Sequence, residues 1–235
     1  MLTKTEAISL LSEDLDKNVG LIQVLKHEDN ADLLYADYDG VAVRNGDGLI
    51  LISVNKPSAK DKISAVINQA FCLMSTDEDL AIYLRKKFKI EGLKKCYQAF
   101  WANNEKIAEN PDITIDKLLA TDYNIKAVLD NYRLPMTYGE VKTAIEKRGM
   151  FGAYVDGSLA GFIGIHSELS MGMLEVFPEY RKRGIGSSLL KKDINYCLSN
   201  GVTPFCHVVY GNENSYRLCS KIGLKFYDGF VFWVG

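Results

Sequence analysis

"LEVFPEYRKRGIGSSLL", residues 174–190, decides how the chain reads. It opens apolar, breaks at Pro178, passes Arg181, Lys182 and Arg183, and turns through Gly184 and Gly186 into a run with helical spacing. The pattern predicts a strand, a glycine turn and a helix in immediate succession. Glycine permits a tight turn and a close approach of ligand to backbone. Successive N–H groups at a helix start, aided by the helix dipole, form a seat for an anion. The basic side chains and the Ser187 hydroxyl add to that attraction, so a phosphate or pyrophosphate is the natural guest. The Walker pattern GxxxxGK[ST] is absent. The dinucleotide pattern GxGxxG fails at Leu189 and finds no acid on the following strand, "TPFCHVVYG". By itself the glycine pair is equally well read as a tight turn with a solvated basic face.

Outward from this turn, "MFGAYVDGSLAGFIGIHS" reads as a hairpin about Asp156-Gly157, and "SYRLCSKIG" as a helix closed by Gly223. "TYGEVKTAIEKRG" opens with Thr137 and Glu140 in capping-box spacing. "LKFYDGFVFWV" gives one or two last strands. Residues 111–235 thus read β-α-α-β-β-β-α-β-α-β(β). Earlier, apolar spacing predicts one helix over Thr3–Val24, with Thr3 or Thr5 as cap. Strands broken by Asp-Gly and Asn-Gly follow, the latter as a tight turn at Asn45-Gly46. A helix is expected through Ile63, Ile67, Ala70 and Leu73, another over "DEDLAIYLRKKFKI", and a strand at "KKCYQAFWAN". Asn110-Pro111 is the expected boundary, giving an α/β domain over 1–110 and a second over 111–235.

Composition excludes several classes. A net charge of -2 over 235 residues carries no global basic field for nucleic acid. No apolar run reaches the ~18–20 residues of a membrane span, and the start has acids too early for a secretion signal. Five scattered cysteines and three histidines lack ligand spacing, so no metal and no disulfide frame is expected. These features predict a cytoplasmic protein.

The flanks of the turn add specificity. Val176, Pro178, Tyr180, Arg181, Gly184 and Gly186 resemble the acyl-CoA-binding segment of the GNAT superfamily of N-acetyltransferases. "NENSYRLCSKIGLKF" resembles a second block of that superfamily, supplying Asn212, Ser215, Lys221 and Gly223. The resemblance covers roughly Ile113 to Val234 and is nearest the FR47-like and glycine N-acyltransferase-like branch. It implies an α/β (α+β) fold with a mixed, largely antiparallel sheet flanked by helices. It also implies an N-terminal half that is a degenerate copy of the fold.

The resemblance further implies an acetyl-CoA cosubstrate and a primary amine attacking the thioester directly in a ternary complex. The acceptor would be a small amine, an amino acid or a peptide terminus. Arg183, Gly184, Ile185, Gly186 and Ser187 would hold the pyrophosphate, with Arg181 beside them. Leu174, Val176 and Phe177 would pair with the pantetheine arm, the Val176 amide polarising the thioester carbonyl. Asn212 and Ser215 would complete the seat.

The family's acidic tyrosine is replaced by Cys219, with Tyr216 a substitute. For the base, Glu175 is the first choice, because period-two alternation puts it on the face of Met171 and Met173. Glu168 is the second. The family branch has its glutamate where this chain has Ser170. His207 is better read as a satisfied buried histidine. A non-catalytic acyl-CoA sensor or scaffold is the alternative reading, and the first half has three open roles: homodimer surface, acceptor wall or relic.

Overall fold

A computed structural model describes all residues, Met1–Gly235. In chain order the elements are α1 (Lys4–Ser12), α2 (Leu15–His27), β1 (Asp32–Asp37), β2 (Gly40–Arg44), β3 (Ile50–Val54), α3 (Ala59–Val66), β4 (Leu73–Ser75), α4 (Glu78–Phe88) and β5 (Lys94–Phe100). There follow β6 (Thr114–Lys117), α5 (Asp122–Asn131), α6 (Tyr138–Thr143), β7 (Met150–Val155), β8 (Ser158–Ile165) and β9 (Met171–Val176). The last are α7 (Ile185–Ser199), β10 (Phe205–Val209), α8 (Glu213–Ile222), β11 (Lys225–Phe226) and β12 (Val231–Val234). The chain is therefore mixed α/β, with largely antiparallel sheets flanked by helices.

Two compact units are formed, and each takes more than one segment. The first comprises Met1–Phe100, His207–Tyr216 and Lys225–Gly235; the second comprises Trp101–Cys206 and Arg217–Leu224. The units thus part after Phe100, ten residues before the Asn110-Pro111 boundary expected from sequence, and segments beyond residue 206 are shared between them.

The first unit is built on the sheet ordered β1-β2-β3-β4-β12-β5-β10, with β11 also on β5. Its alternation explains the apolar run "GVAVR". Val41, Val43, Leu51, Met74 and Val231 pack with α1 and α2, while Ala42, Ile50, Ile52, Leu73 and Phe232 pack with α3 and α4. A strand covered on both faces loses the polar half of the period-two pattern. The chain's last strand lies inside this sheet: β12 is antiparallel to both neighbours, with Trp233 opposite Met74 of β4 and Lys94 of β5.

Gly235 comes so close to the β4–β5 side that a Cβ on Gly92 would stand 1.9 Å from its carbonyl oxygen. Gly92→Ala must push that backbone aside. Overpacking of this kind costs roughly 1–3 kcal/mol, and about 2–4 °C of Tm accompanies each kcal/mol in a chain of this size. Thermal unfolding of the variant should show that fall; an unchanged Tm would contradict the close approach.

The second unit carries the sheet β6-β7-β8-β9, antiparallel throughout. Phe162, Met150 and Leu159 pack on one face with Ile125 and Val128 of α5 and Val141 of α6. α7 covers the other face, where its Tyr196 meets the Phe151 ring edge-on at 5.2 Å. Residues 107–109 are strapped to α7, since Asn195 both accepts from the Ile107 N–H and donates to its carbonyl, and Lys192 pairs with Glu109.

Several local expectations agree with this structure. Thr3 and Thr137 each close a full capping box, Asp156 and Gly157 take positive φ in the β7–β8 hairpin, and Gly223 ends α8 at φ 101.

Others differ. The single helix over Thr3–Val24 is two, because Asp14 caps a new start by accepting from the Lys17 N–H. Helical spacing does not run on to Leu73: α3 stops at Val66, and Leu73 begins β4. Asn45-Gly46 does not make a two-residue hairpin. The Asn45 side chain instead accepts from the N–H groups of Asp47 and Leu49 across a longer loop. The tail does form two strands, as expected, β11 and β12, and each pairs with β5.

Candidate active site

The turn at residues 177–187 is built as its sequence suggests. Pro178–Tyr180 forms a short 3-10 turn. Lys182 and Gly184 then take left-handed backbone at φ 63 and φ 82 before α7 begins. Gly184 is the N-cap and provides no side-chain acceptor. The N–H groups of Ile185, Gly186 and Ser187 therefore have no partner within the helix, as the first turn of any helix requires one from outside. A Cβ on Gly186 would meet only Val176 Cγ2 at 3.5 Å and Leu218 Cδ2 at 3.8 Å, so the fold does not demand glycine there. Ile185 is buried and anchors the helix start, while Arg181, Lys182, Arg183 and Gly184 are exposed. Arg183 lies 5.6 Å over the Tyr180 ring.

Leu174, Val176 and Phe177 lie on or just beyond β9, half-buried, and β9 is the edge strand of its sheet. Backbone groups on the far side of β9 have no strand to pair with. Arg181 folds back on this strand: Nε donates to the Val176 carbonyl at 2.9 Å and Nη2 to Glu175 Oε1 at 2.9 Å. Its fork is thus committed to β9 rather than left free beside the turn.

β9 itself is irregular. Met173 has φ 52, and the pairing with β8 slips between Phe162 and Gly164. Met171 stands opposite Ile165, whereas Glu175 stands opposite Phe162. Cross-strand partners share a face, so Glu175 lies on the α5/α6 side and Met171 on the α7 side. The strict alternation expected from sequence, with Met171, Met173 and Glu175 on one face, is broken by this bulge.

Two carboxylates flank it. Glu175 Oε1 holds Arg181, and its Oε2 is 3.9 Å from Arg133 Nε. Glu168, only 5% exposed, accepts from the Ser170 hydroxyl at the start of β9. Tyr132, which the sequence reading passed over, joins the group. Burial pushes its phenol up to about 12, the negative charges of Glu168 and Glu175 push the same way, and a backbone hydrogen bond at Met173 opposes them.

The remaining candidates lie on β10 and α8. Asn212 caps α8, its side chain accepting from the Ser215 N–H at 3.2 Å. Tyr216 stacks on Phe226 at 4.5 Å and meets Tyr97 at 5.0 Å. Asn212, Ser215 and Tyr216 belong to the first unit, whereas Cys219 belongs to the second. Cys219 is buried with its Sγ 3.8 Å from that of Cys206. The Cys219 sulfur and burial push the Cys206 thiol well up, and the hydrogen bond from Cys206 holds Cys219 below the usual thiol value. His207 is held in the first unit by Gln98 Oε1 at 3.0 Å. Gln98 gives its own N–H groups to the Asp16 and Lys17 carbonyls, so Nε2 of His207 is the donor. No group of three or more His, Cys, Asp or Glu side chains is arranged to hold a metal, and no helix is long and apolar enough to cross a membrane.

Residues 115–224 match the Acetyltransferase (GNAT) family, a span that runs from β6 through the turn to the end of α8. A Drosophila protein of known structure superposes with a TM-score of 0.67 at 16% identity, covering 99% of this chain and 96% of its own. A GCN5-related N-acetyltransferase-like protein of Streptococcus suis gives 0.55 at 10% identity, covering 98% of each chain. A GCN5-related N-acetyltransferase of Kribbella flavida gives 0.55 at 11%, covering 97% and 95%. At such identities the likeness is one of fold. No curated protein matches the chain in sequence. The match marks this segment, just under half of the chain, as GNAT-like, and it supports a transferase whose general chemistry is acyl transfer.

Proposed function

We propose that the protein transfers an acetyl group from acetyl-CoA to a primary amine by direct attack in a ternary complex. The observation that carries this reading is the uncapped start of α7 behind Gly184, at the end of a bulged edge strand. Arg183 to Ser187 would seat the pyrophosphate, and the open side of β9 at Leu174 to Phe177 would pair with the pantetheine arm. Asn212 and Ser215 would hold the arm further along. The Val176 amide would polarise the thioester carbonyl. The amine nitrogen bonds to the carbonyl carbon, the carbon–sulfur bond breaks, and the thiolate leaves.

Of the two carboxylates, Glu168 is the better base, since Glu175 is engaged by Arg181. Cys219, its thiol easier to ionise than usual, would return a proton to the leaving thiolate, and Tyr216 is the substitute. The acceptor is a small amine, an amino acid or a peptide terminus. Within the sequence, the chemistry would reside in 111–235. Residues 1–110 would be a degenerate copy, since no glycine turn stands between β4 and α4. Five free cysteines fit a reducing, cytoplasmic setting. Cys219 in place of a tyrosine favours one competing reading, a sensor that binds acyl-CoA without turnover.

Calorimetric titration with acetyl-CoA, then thiol release over an amine panel, tests both. Binding with release on one amine class is expected. Glu168→Gln should then lower kcat by about 10²- to 10⁴-fold while leaving acetyl-CoA affinity alone. Binding without release would transfer the case to the sensor, and no binding would end both readings.

A further inference from the structure

Cys206 and Cys219 stand thirteen residues apart in the chain and bring their sulfurs to 3.8 Å. Both belong to the second unit, and both are thiols. Cys206 lies on β10 and Cys219 on α8, so a strand and the helix that follows it are in sulfur contact. A single buried cysteine behaves as a small apolar residue. Two thiols in contact differ from that, because one two-electron oxidation joins them covalently. A disulfide needs about 2.0 Å between its sulfurs, so the pair has a short distance to close. Side-chain rotation and a shift of α8 are the motions available for it.

α8 is lightly held. Only Cys219 and Ile222 among its ten residues are buried. An element with few buried side chains opens locally at less cost than the core. Such an opening admits a small uncharged oxidant to sulfurs that are 7% and 4% exposed. The two thiols are also unequal. The hydrogen bond from Cys206 holds the Cys219 thiol below its usual value, and the same bond, with burial, pushes Cys206 up. The thiolate is the form that attacks an oxidant. Cys219 therefore reacts first, and Cys206 is the sulfur placed to resolve the product.

We propose that Cys206 and Cys219 form a modification site, closed to a disulfide by a hydroperoxide and opened again by a dithiol, and that closure takes the Cys219 proton out of the acyl-transfer site. The Cys219 sulfur attacks one oxygen of the hydroperoxide, and the O–O bond breaks. The departing oxygen takes the proton that Cys219 gave up and leaves as an alcohol or water. Cys219 is then a sulfenic acid. The Cys206 sulfur attacks it, the S–O bond breaks, and the oxygen leaves as water with the Cys206 proton. Each sulfur gives up one electron, and the hydroperoxide takes both. The first half of the proposal rests on the sulfur contact. The second rests on the reading of Cys219 as proton donor.

Hydrogen peroxide is the probe, applied to the folded protein. Trypsin cuts after Lys192, Arg217 and Lys221, so the bridge should join segment 193–217 to segment 218–221. Fragmentation of the joined pair should place it at Cys206 rather than Cys197, and dithiothreitol should separate the two segments again. In Cys206→Ser the resolving sulfur is missing, so Cys219 should stop at the sulfenic acid, which dimedone captures. With acetyl-CoA and an accepted amine, kcat of the bridged protein should fall by about 10²-fold or more, the usual contribution of a general acid, and return with the dithiol.

A joined pair that forms only when the oxidant is added in denaturant overturns the modification site. So does oxidation of the folded protein that leaves both sulfurs as thiols, or carries them past the sulfenic stage without joining them. A bridged protein that keeps its full rate overturns the second half of the proposal, and with it the proton-donor role of Cys219. Should the wild-type protein turn over no amine, the acyl-transfer reading falls, and the joined pair still decides the modification site.

Discussion

Gly186→Asp abolishes measurable acetyl-CoA binding and leaves the protein folded. Both halves of this expected result follow from the start of α7. Gly186 lies in the first helical turn, where a Cβ meets neighbours only at ordinary contact distance, 3.5 Å and 3.8 Å. An aspartate in the first turn is favourable to a helix, because its charge opposes the positive end of the dipole. The variant should therefore unfold at the wild-type temperature or slightly above it. The same carboxylate stands where the pyrophosphate would sit and neutralises the field that would attract it. A loss of at least about 100-fold in Kd is expected, equivalent to ~2.7 kcal/mol. Gly186→Ala should lose less, through crowding alone. Titration calorimetry on the three proteins, with thermal unfolding beside it, decides the matter. Full affinity in Gly186→Asp would remove the turn from the site.

Asp193→Asn makes the protein more stable at neutral pH. Asp193 lies in the middle of α7, fully buried, and neither carboxyl oxygen has a hydrogen-bond partner. Burial alone pushes its carboxyl well above the ordinary range. A carboxyl whose folded pKa is raised stabilises fully only below its unfolded pKa. Between the unfolded and folded values, each pH unit removes about 1.4 kcal/mol. The wild-type protein should therefore lose stability steadily as pH rises from about 4, until the folded value is passed. Asparagine does not titrate, so the variant should lack this slope. At pH 7 the difference amounts to several degrees of Tm, at about 2–4 °C per kcal/mol. Melting curves at half-unit intervals from pH 4 to pH 8, estimated to span the window, provide the check. Parallel curves for the two proteins would mean that the carboxyl has a partner after all.

The part of the molecule that was legible in sequence is the part governed by local chemistry. Gly184 and the basic run specified the turn because the positive φ of a glycine and the uncapped amides behind it are written in residue types. The order of elements over 111–235 followed from periodicity and from capping boxes such as Thr137–Glu140. What escaped was set by neighbours distant in sequence. Ile67 and Ala70 continue the spacing of α3, yet Leu73 is drawn into β4 because Ile50 waits to pair with it. The bulge at Met173 escaped because methionine gives no sign of positive φ. The consequence was a mistaken face for Glu175 relative to Met171. Tyr132 gave no signal in the sequence; only the structure packs it against the cluster that holds Met173 of β9. Arg181 appeared free for phosphate, and its attachment to Glu175 depends on how the chain turns back after Pro178.

The place of β12 bears on how the protein is made. A ribosome delivers the chain from its N-terminus, so β4 and β5 emerge long before the strand that joins them. Until residues 231–234 are released, both carry open edges that should bind each other's backbone only through a strand not yet present. While the second unit is being translated, the nascent first unit is thus a four-stranded sheet, β1 to β4, and a lone β5, whose neighbours β10, β11 and β12 all come later. Its closure waits for β12. A growing chain of this design carries open strand edges for longer, and open edges are where unfinished chains adhere to one another.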